Sequence, residues 1–142
     1  MKQINGYIGF NGKCREAMTF YHECLGGDLI LTPVAGSPIE NMCPPAMKDQ
    51  IMNSSLTLPD GNILVMGSDM TGPWGHREGN NVSLLINCSS EEEINRLYTR
   101  LSEGGKIMDE LKVQFWGDLF GVFQDRFGTN WMVIYSKGIS EE

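Results

Sequence analysis

The stretch that decides the fold is FWGDLFGVFQDRFGTNWMVIY, residues 115–135. It predicts two strands joined by a tight turn at residues 125–128, because Asp can hydrogen-bond forward along the backbone and Gly tolerates a positive φ angle. The exit strand, residues 131–135, is apolar at every position, which predicts that both of its faces are covered. Trp116 and Phe120 lie just upstream, and side chains of this size are expected to line a core or a pocket.

Working outward from this hairpin, the same order of elements occurs twice. One amphipathic helix is predicted to end at Gly26, and a second is predicted to begin near Ser90 and to end at Gly104. Runs of apolar or alternating residues predict strands at residues 4–10, 28–32, 51–58, 63–68, 81–87 and 106–113, in addition to the two strands of the hairpin. The order is therefore β-α-β-β-β in each half, which indicates a duplicated module.

The duplication sets the expected organisation of the chain. We expect module one at about residues 1–69, a linker loop at about 70–80 and module two at about 81–137, with a second long loop at residues 35–50. Each module has one helix for four strands, so a helix can cover only one face of each sheet. The uncovered faces are expected to meet each other, a partner subunit or a ligand.

Composition excludes several classes of function. The 142 residues fit one domain or two half-domains, and the net charge of −7 argues against nucleic acid as a partner. No apolar run is long enough to span a bilayer and no signal-peptide pattern is present, so a cytoplasmic protein without a membrane partner is expected. The four cysteines show no Cys-x-x-Cys spacing, which favours reduced, buried thiols over a zinc site.

Several segments together resemble one protein family over nearly the whole chain. They are YIGFNGKCREA at residues 7–17, FY at 20–21, LGG at 25–27, MGSD at 66–69, FWGD at 115–118, FG at 120–121, DRFG at 125–128 and WMV at 131–133. These segments are similar to the PhnB-like branch of the vicinal oxygen chelate superfamily, which includes glyoxalase I, bleomycin-resistance proteins and extradiol dioxygenases. The resemblance implies an α+β fold in which two tandem βαβββ modules form a cup-shaped mixed sheet, and a homodimer.

The resemblance also bears on cofactors. Metal-dependent members take His, Glu or Gln ligands from the first and last strand of each module, which correspond here to Gly6, a residue near Met66, Asn81 and Met132; the alternation of the first strand would also allow Tyr7 to face the cup. None of these side chains suits a hard divalent ion, so no metal cofactor is expected. Some relatives are described as ubiquinone-related methyltransferases, but no Gly-rich loop between a strand and a helix is present for a nucleoside cofactor.

Seven residues are candidates for ligand binding, each with a structural alternative. The predicted set is Tyr7, Asn53, Trp74, His76, Trp116, Asp118 and Phe120. Asn53 lies where relatives often have a histidine, on the face of strand 51–58 that it shares with Ile51 and that is expected to be open; it could equally be a satisfied strand residue. Asp118 could cap a turn, the aromatic residues, with Trp131, could be core, and a loop histidine such as His76 is usually solvated, as we expect for His22.

Three functions follow from these observations. The preferred hypothesis is metal-independent binding of a small hydrophobic or planar organic molecule, with Tyr7 and Asn53 orienting it, as in resistance-type sequestration. The alternative is a metal-dependent lyase or isomerase of the glyoxalase type, with a displaced site built from Asn53, Asp69 or His76. The third is an interaction module with a vestigial cup. No Ser/His/Asp or Cys/His set supports nucleophilic catalysis, so no catalytic residue is assigned.

Overall fold

The structure is a computed structural model that describes residues 3–71 and 75–137. The chain divides into two compact units, Met1–Arg77 and Glu78–Glu142. Trp74, one of the candidate ligand residues, lies outside the described residues. The elements are β1 (Tyr7–Gly9), α1 (Cys14–Leu25), β2 (Asp28–Pro33), β3 (Ile51–Thr57), β4 (Ile63–Ser68), β5 (Leu84–Asn87), α2 (Glu91–Leu101), β6 (Lys106–Val113), β7 (Leu119–Gln124) and β8 (Asn130–Tyr135).

The first unit is a four-stranded mixed sheet with the strand order β1-β4-β3-β2. Strand β1 pairs parallel to β4, and the other neighbours pair antiparallel. Helix α1 packs on one face of this sheet and contacts β2, β3 and β4. Its apolar stripe includes Met18 and Tyr21, which are fully buried together with Leu56 and Val65 of the sheet. This burial supplies the main stabilisation of the unit.

The second unit repeats the arrangement with the order β5-β8-β7-β6. Strand β5 is parallel to β8, and the remaining pairs are antiparallel. Helix α2 packs against β8, and its residues Ile94 and Leu101 are buried together with Phe123, Trp131 and Val133 of the sheet. The prediction of an α+β chain made of two βαβββ modules is therefore confirmed.

The two helices begin in different ways. Helix α2 has the predicted cap, since the Ser90 hydroxyl accepts a hydrogen bond from the backbone N–H of Glu93 at 3.0 Å. Helix α1 has no side-chain cap from its own N-terminal segment. Instead, Asp69 Oδ1 accepts the N–H groups of Gly12 at 2.9 Å and Cys14 at 3.0 Å. The carboxylate at the end of β4 thus fixes the start of α1 across 55 residues of sequence.

Several predicted strands have different bounds in the structure. Strand β1 covers only three residues at the edge of its sheet, and Ile4, predicted to be part of it, lies outside the strand and is 87% exposed. Strand β5 begins at Leu84 rather than at residue 81, so Asn81 lies in an exposed loop. The loop at residues 35–50 contains two short 3₁₀ helices, Glu40–Met42 and Pro45–Met47.

Two side chains, those of Ile51 and His22, have surroundings other than those predicted. Ile51 was expected on the open face but is fully buried, because the ladder between β2 and β3 shifts by one residue at Met52 and returns Ile51 to the helix-covered face. His22 is half-buried rather than exposed, and its Nδ1 atom is buried without a hydrogen-bond partner among the described residues.

The exit strand β8 was also predicted with both faces covered. Trp131 and Val133 are buried, whereas Met132 and Ile134 are only half-buried on the opposite face. The apolar run therefore reflects one core face and one apolar surface face. No helix in the described part of the chain is long and apolar enough to cross a membrane.

Candidate functional site

Helix α1 packs on one face of the sheet of the first unit, and we call the opposite face of this sheet the first open face. Its central row runs across the four strands as Tyr7, Met66, Ser55 and Ile30, according to the strand register. Tyr7 is 55% exposed and Ile30 is 59% exposed. The next row, which contains Ser54 and Gly67, is buried under α1. This alternation shows that Tyr7 lies on the open face, a point that the sequence left undecided.

A polar pair stands on this first open face. The Tyr7 hydroxyl donates a 2.9 Å hydrogen bond to Asn53 Oδ1, across 46 residues of sequence. Both side chains are exposed. The hydrogen bond leaves the amide N–H groups of Asn53 and the lone pairs of the phenol free to meet a ligand, since an amide has two donors and a phenol oxygen also accepts. Apolar side chains flank the pair, among them Ile30, Leu64 and Met66.

Helix α1 begins with a buried thiol, that of Cys14, which faces the sheet and does not fit a nucleophile. Cys14 Sγ lies 3.4 Å from Ser54 Oγ, which in turn donates to the carbonyl oxygen of Gly67 at 2.8 Å. Burial raises the pKa of the Cys14 thiol to about 11. Burial likewise raises the pKa of the Cys88 thiol, at the end of β5, to about 11. Both residues remain protonated near neutral pH, so they behave as small core side chains.

The sheet of the second unit also has a face opposite its helix, which we call the second open face. The strand register places two rows there, and their central residues are apolar and half-buried or exposed: Leu85, Met132, Val122, Ile134 and Phe120. Leu85 is 51% exposed. Because large exposed apolar patches commonly mark contact sites for ligands or partners, this face is a candidate for such a site.

Beside this face is the aromatic hairpin, residues 114–120, which joins β6 to β7. Its turn is closed by hydrogen bonds from Gly117 N to Gln114 O at 2.9 Å and from Gln114 N to Asp118 O at 2.8 Å. Gly117 has a φ angle of 102°, which residues other than glycine rarely adopt. Trp116 packs edge-to-face on Phe120, with ring centroids 5.6 Å apart. The turn therefore holds the indole ring beside the second open face.

Asp118 fixes the orientation of the indole. Trp116 Nε1 donates to Asp118 Oδ2 at 3.1 Å, and Phe115 packs edge-to-face on Trp116 with centroids 5.0 Å apart. Trp116 is 47% exposed and Phe115 is 97% exposed. A shallow pocket of about 80 Å³ lies next to this hairpin, lined by Glu91, Val113, Gly117, Leu119, Tyr135 and Lys137.

Two buried carboxylates, those of Asp69 and Asp125, accept hydrogen bonds from backbone N–H groups. Asp69 accepts the N–H of Ile51 at 2.9 Å with its second oxygen, in addition to its two bonds at the start of α1. Asp125 accepts the N–H groups of Phe127 and Thr129, and Trp131 Nε1 donates to its other oxygen at 2.8 Å. Asp69 therefore has its oxygens occupied, which argues against the predicted use of this residue as a displaced metal ligand.

The residues at the family's metal positions do not fit a divalent ion. Gly6 has no side-chain donor, Met66 and Met132 offer thioethers, and Asn81 is exposed in a loop. Within residues 3–71 and 75–137, no group of three or more His, Cys, Asp or Glu side chains could hold a metal ion. His76 lies in an exposed loop segment.

The structure thus brings the candidate residues together in two sets. Tyr7 and Asn53 meet on the first open face, and Trp116, Asp118 and Phe120 meet at the aromatic hairpin. Sequence analysis had placed Met132 and a residue near Met66 in the cup, but it missed the exposed apolar residues Ile30, Leu64 and Leu85 on the same faces. Their alternation within each strand was visible, but which of the two faces the helix covers was not.

The chain is similar in sequence to known proteins over most of its length. The model of a family described as "3-demethylubiquinone-9 3-methyltransferase" matches residues 2–134. The chain belongs to this family. Protein YjdN of Escherichia coli (strain K12) is 28% identical to this chain in an alignment that covers 92% of this chain and 92% of YjdN. Since the family match covers nearly the full length, it includes both modules.

Several solved structures have the same fold as this chain over most of its length. Protein PA1353 from Pseudomonas aeruginosa matches with a TM-score of 0.84 and 38% identity, covering 96% of this chain and 98% of that chain. The PhnB protein from Bacillus cereus matches with a TM-score of 0.74 and 22% identity, covering 95% of this chain and 100% of that chain. A glyoxalase/bleomycin resistance protein from Albidiferax ferrireducens T118 matches with a TM-score of 0.61 and 12% identity, covering 94% of this chain and 98% of that chain. The resemblance to the PhnB-like branch of the vicinal oxygen chelate superfamily is confirmed.

Proposed function

We propose that this protein binds a small hydrophobic or planar organic molecule without a metal ion, as a homodimer that sequesters the ligand. The observation that carries the proposal is the exposed hydrogen bond between Tyr7 and Asn53, 2.9 Å long, on the face of the first sheet opposite α1. A binding site for an organic molecule combines apolar walls with a few placed polar groups, and the first open face has both.

The polar pair fits a specific ligand group. Asn53 presents amide N–H donors and Tyr7 presents an oxygen acceptor on the same face. A carbonyl oxygen on a planar ring system could accept from Asn53 while the ring lies against Ile30 and Met66. Burying the exposed apolar surface of these side chains would provide the main driving force for binding.

The second open face supports the same proposal by different chemistry. Trp116 and Phe120 form an edge-to-face pair whose ring faces remain available for stacking. The hydrogen bond from the indole to Asp118 holds Trp116 in place before a ligand arrives, which lowers the entropy lost on binding. His76 and Trp74 stay predictions of ligand contact from the sequence.

Methyl transfer, the activity in the family description, is not proposed for this chain. A nucleoside cofactor is commonly held by a Gly-rich turn between a strand and a helix. The turn from β1 to α1 instead uses its backbone N–H groups at Gly12 and Cys14 to bind Asp69. A metal-dependent lyase activity is likewise not favoured, because the residues at the metal positions are poor ligands for a hard ion.

Binding can be tested with the purified protein and two neutral planar probes. Native mass spectrometry of the protein as purified should show a retained ligand, or coumarin and quinoline should raise its melting temperature in a saturable way. Asn53→Leu should weaken coumarin binding about tenfold, because a hydrogen bond to a buried ligand carbonyl is worth about 1–1.5 kcal/mol.

The matched control is Asn95→Leu, which removes an exposed asparagine whose side chain donates to the carbonyl oxygen of Glu91 on α2. Coumarin affinity should be unchanged in this variant. The proposal is wrong if no ligand is retained and neither probe binds, or if both asparagine variants bind coumarin equally well. A stoichiometric metal ion, removable by a chelator, would instead favour the lyase alternative. Sedimentation analysis of the same sample tests the homodimer.

A further inference from the structure

We infer that the aromatic hairpin recognises an organic cation, specifically a planar aromatic cation or an alkylated ammonium group. This inference rests on the proposed function and adds the charge of the ligand to it. It is carried by the side chains of Trp116 and Asp118, which place an exposed π face next to a carboxylate in an otherwise uncharged segment.

The rings of the hairpin form a ladder that leaves π faces open. Phe115 meets Trp116 at an interplanar angle of 89°, and Trp116 meets Phe120 at 66°. Edge-to-face contacts of this kind use the edge of one ring of each pair, so part of the π surface of the cluster stays free. Among the described residues no cation lies over these three rings, whereas the guanidinium of Arg126 lies 5.3 Å from the centroid of Phe127. A cation from outside could therefore take this place, since indole is the best π partner for a positive charge.

Asp118 supplies the matching charge. Its Oδ2 accepts the indole N–H at 3.1 Å, which draws electron density into the ring and strengthens the negative face of the indole. Oδ1 has no hydrogen-bond partner among the described residues, so this carboxylate keeps an oxygen available. Asp118 is also the one charged residue in the sequence VQFWGDLFG, residues 113–121.

The neighbouring charges do not cancel this effect. Lys112 pairs with Asp109 at 4.0 Å on β6, and the adjacent pocket is lined by one residue of each sign, Glu91 and Lys137. The whole chain carries a net charge of −7, which favours the approach of a cation over that of an anion. These observations together select a cationic ligand over a neutral or an anionic one.

A pair of probes of nearly the same shape isolates the charge. N-methylquinolinium carries a permanent positive charge, whereas quinoline is neutral at pH 8. Binding is followed by the indole N–H signals in a ¹⁵N–¹H NMR spectrum, in which the buried Trp131 serves as an internal reference. The cation should bind at least about fivefold more tightly than quinoline and should shift the Trp116 signal, because a cation–π contact at a part-exposed site with a nearby carboxylate has about this effect.

Three variants test the assignment. Asp118→Asn keeps an oxygen for the indole N–H but removes the charge, and Trp116→Phe keeps a ring but weakens its π face; in both, the preference for the cation should fall to about twofold or less. For Trp116→Phe, a fluorescence or calorimetric titration replaces the indole signal. Glu110→Gln on β6 is the matched control, because it removes one exposed carboxylate outside the hairpin and should leave the preference unchanged.

Other outcomes overturn the inference. If quinoline and N-methylquinolinium bind equally, the ligand class is wrong although the proposed function stands. The assignment to the hairpin is wrong if the cation binds without shifting the Trp116 signal or if Glu110→Gln reduces the preference as much as Asp118→Asn. The proposed function itself is judged by coumarin and Asn53→Leu, so the two failures can be told apart.

Discussion

Replacement of Asp69 by alanine tests whether this carboxylate is part of the framework or of a reactive site. Asp69 is only 5% exposed, and it accepts three backbone N–H groups at 2.9–3.0 Å, from Gly12, Cys14 and Ile51. An N–H group left buried without an acceptor costs about 1–3 kcal/mol. Gly12 is exposed and can bind water instead, so the loss for Asp69→Ala should be about 3–5 kcal/mol in the free energy of unfolding.

The measurement is urea unfolding followed by far-UV circular dichroism. Asp69→Asn should lose less than the alanine variant, about 2 kcal/mol, because one oxygen remains while the new NH₂ group faces an N–H donor. Asp60→Ala is the matched control: this exposed carboxylate accepts its hydrogen bonds from Asn62 in a surface turn. Its removal should cost less than about 1 kcal/mol.

The result also decides between two functions. If Asp69 served a displaced metal site or acted as a base, its removal would reduce metal content or ligand binding with little effect on stability. A loss of less than about 1 kcal/mol for Asp69→Ala, together with a loss of ligand response in a folded protein, would refute the structural assignment. The framework role predicts the opposite pattern, with lower stability and, in the folded fraction of Asp69→Asn, unchanged coumarin affinity.

Three further predictions follow from packing and burial. A Cβ at the buried Gly121 would lie 3.0 Å from the ring of Tyr98, so Gly121→Ala should lower the free energy of unfolding by about 1–3 kcal/mol. Gly9→Ala is the control: no atom lies within 4 Å of the new Cβ, so this variant should change the free energy of unfolding by less than about 0.5 kcal/mol. Because their pKa is raised to about 11, Cys14 and Cys88 should stay unlabelled by iodoacetamide at pH 8 until the protein is unfolded in urea. Rapid labelling of Cys14 or Cys88 in the native protein, located by peptide mass spectrometry, would contradict the burial of these thiols, whereas labelling of the half-buried Cys43 would not. Treatment with EDTA should change neither the melting temperature nor coumarin binding, and a fall in either would support the metal-dependent alternative.

The sequence predicted the elements well because their signals are local. The apolar stripe of α1 and the Ser90 cap of α2 are set by residues within a few positions of each other. The hairpin at residues 125–128 was likewise predictable from Asp125 and Gly128. Duplication made the prediction stronger, because the same order of elements occurs in both modules and each supports the interpretation of the other.

The errors arose where a distant residue decides the local structure. No pattern near Cys14 indicates that Asp69 caps its helix, because the two are neighbours only after β4 has paired with β1. The burial of Ile51 depends on a shift in the ladder between two strands separated by a long loop. The burial of one face of β8 and the half-burial of the other could not be predicted from a strand that is apolar throughout.

The candidate site illustrates the same limit and also shows where function is to be sought. The side chains between each helix and its sheet serve the stability of the fold. Their apolar groups are buried, and the buried carboxylates of Asp69 and Asp125 are hydrogen-bonded. The open faces differ from the helix-covered faces because their apolar and polar side chains are exposed or half-buried in the described part of the chain. On the first, the Tyr7–Asn53 bond contributes little to stability at an exposed position. If the proposed function is correct, substitution of Asn53 should therefore affect ligand affinity far more than the free energy of unfolding.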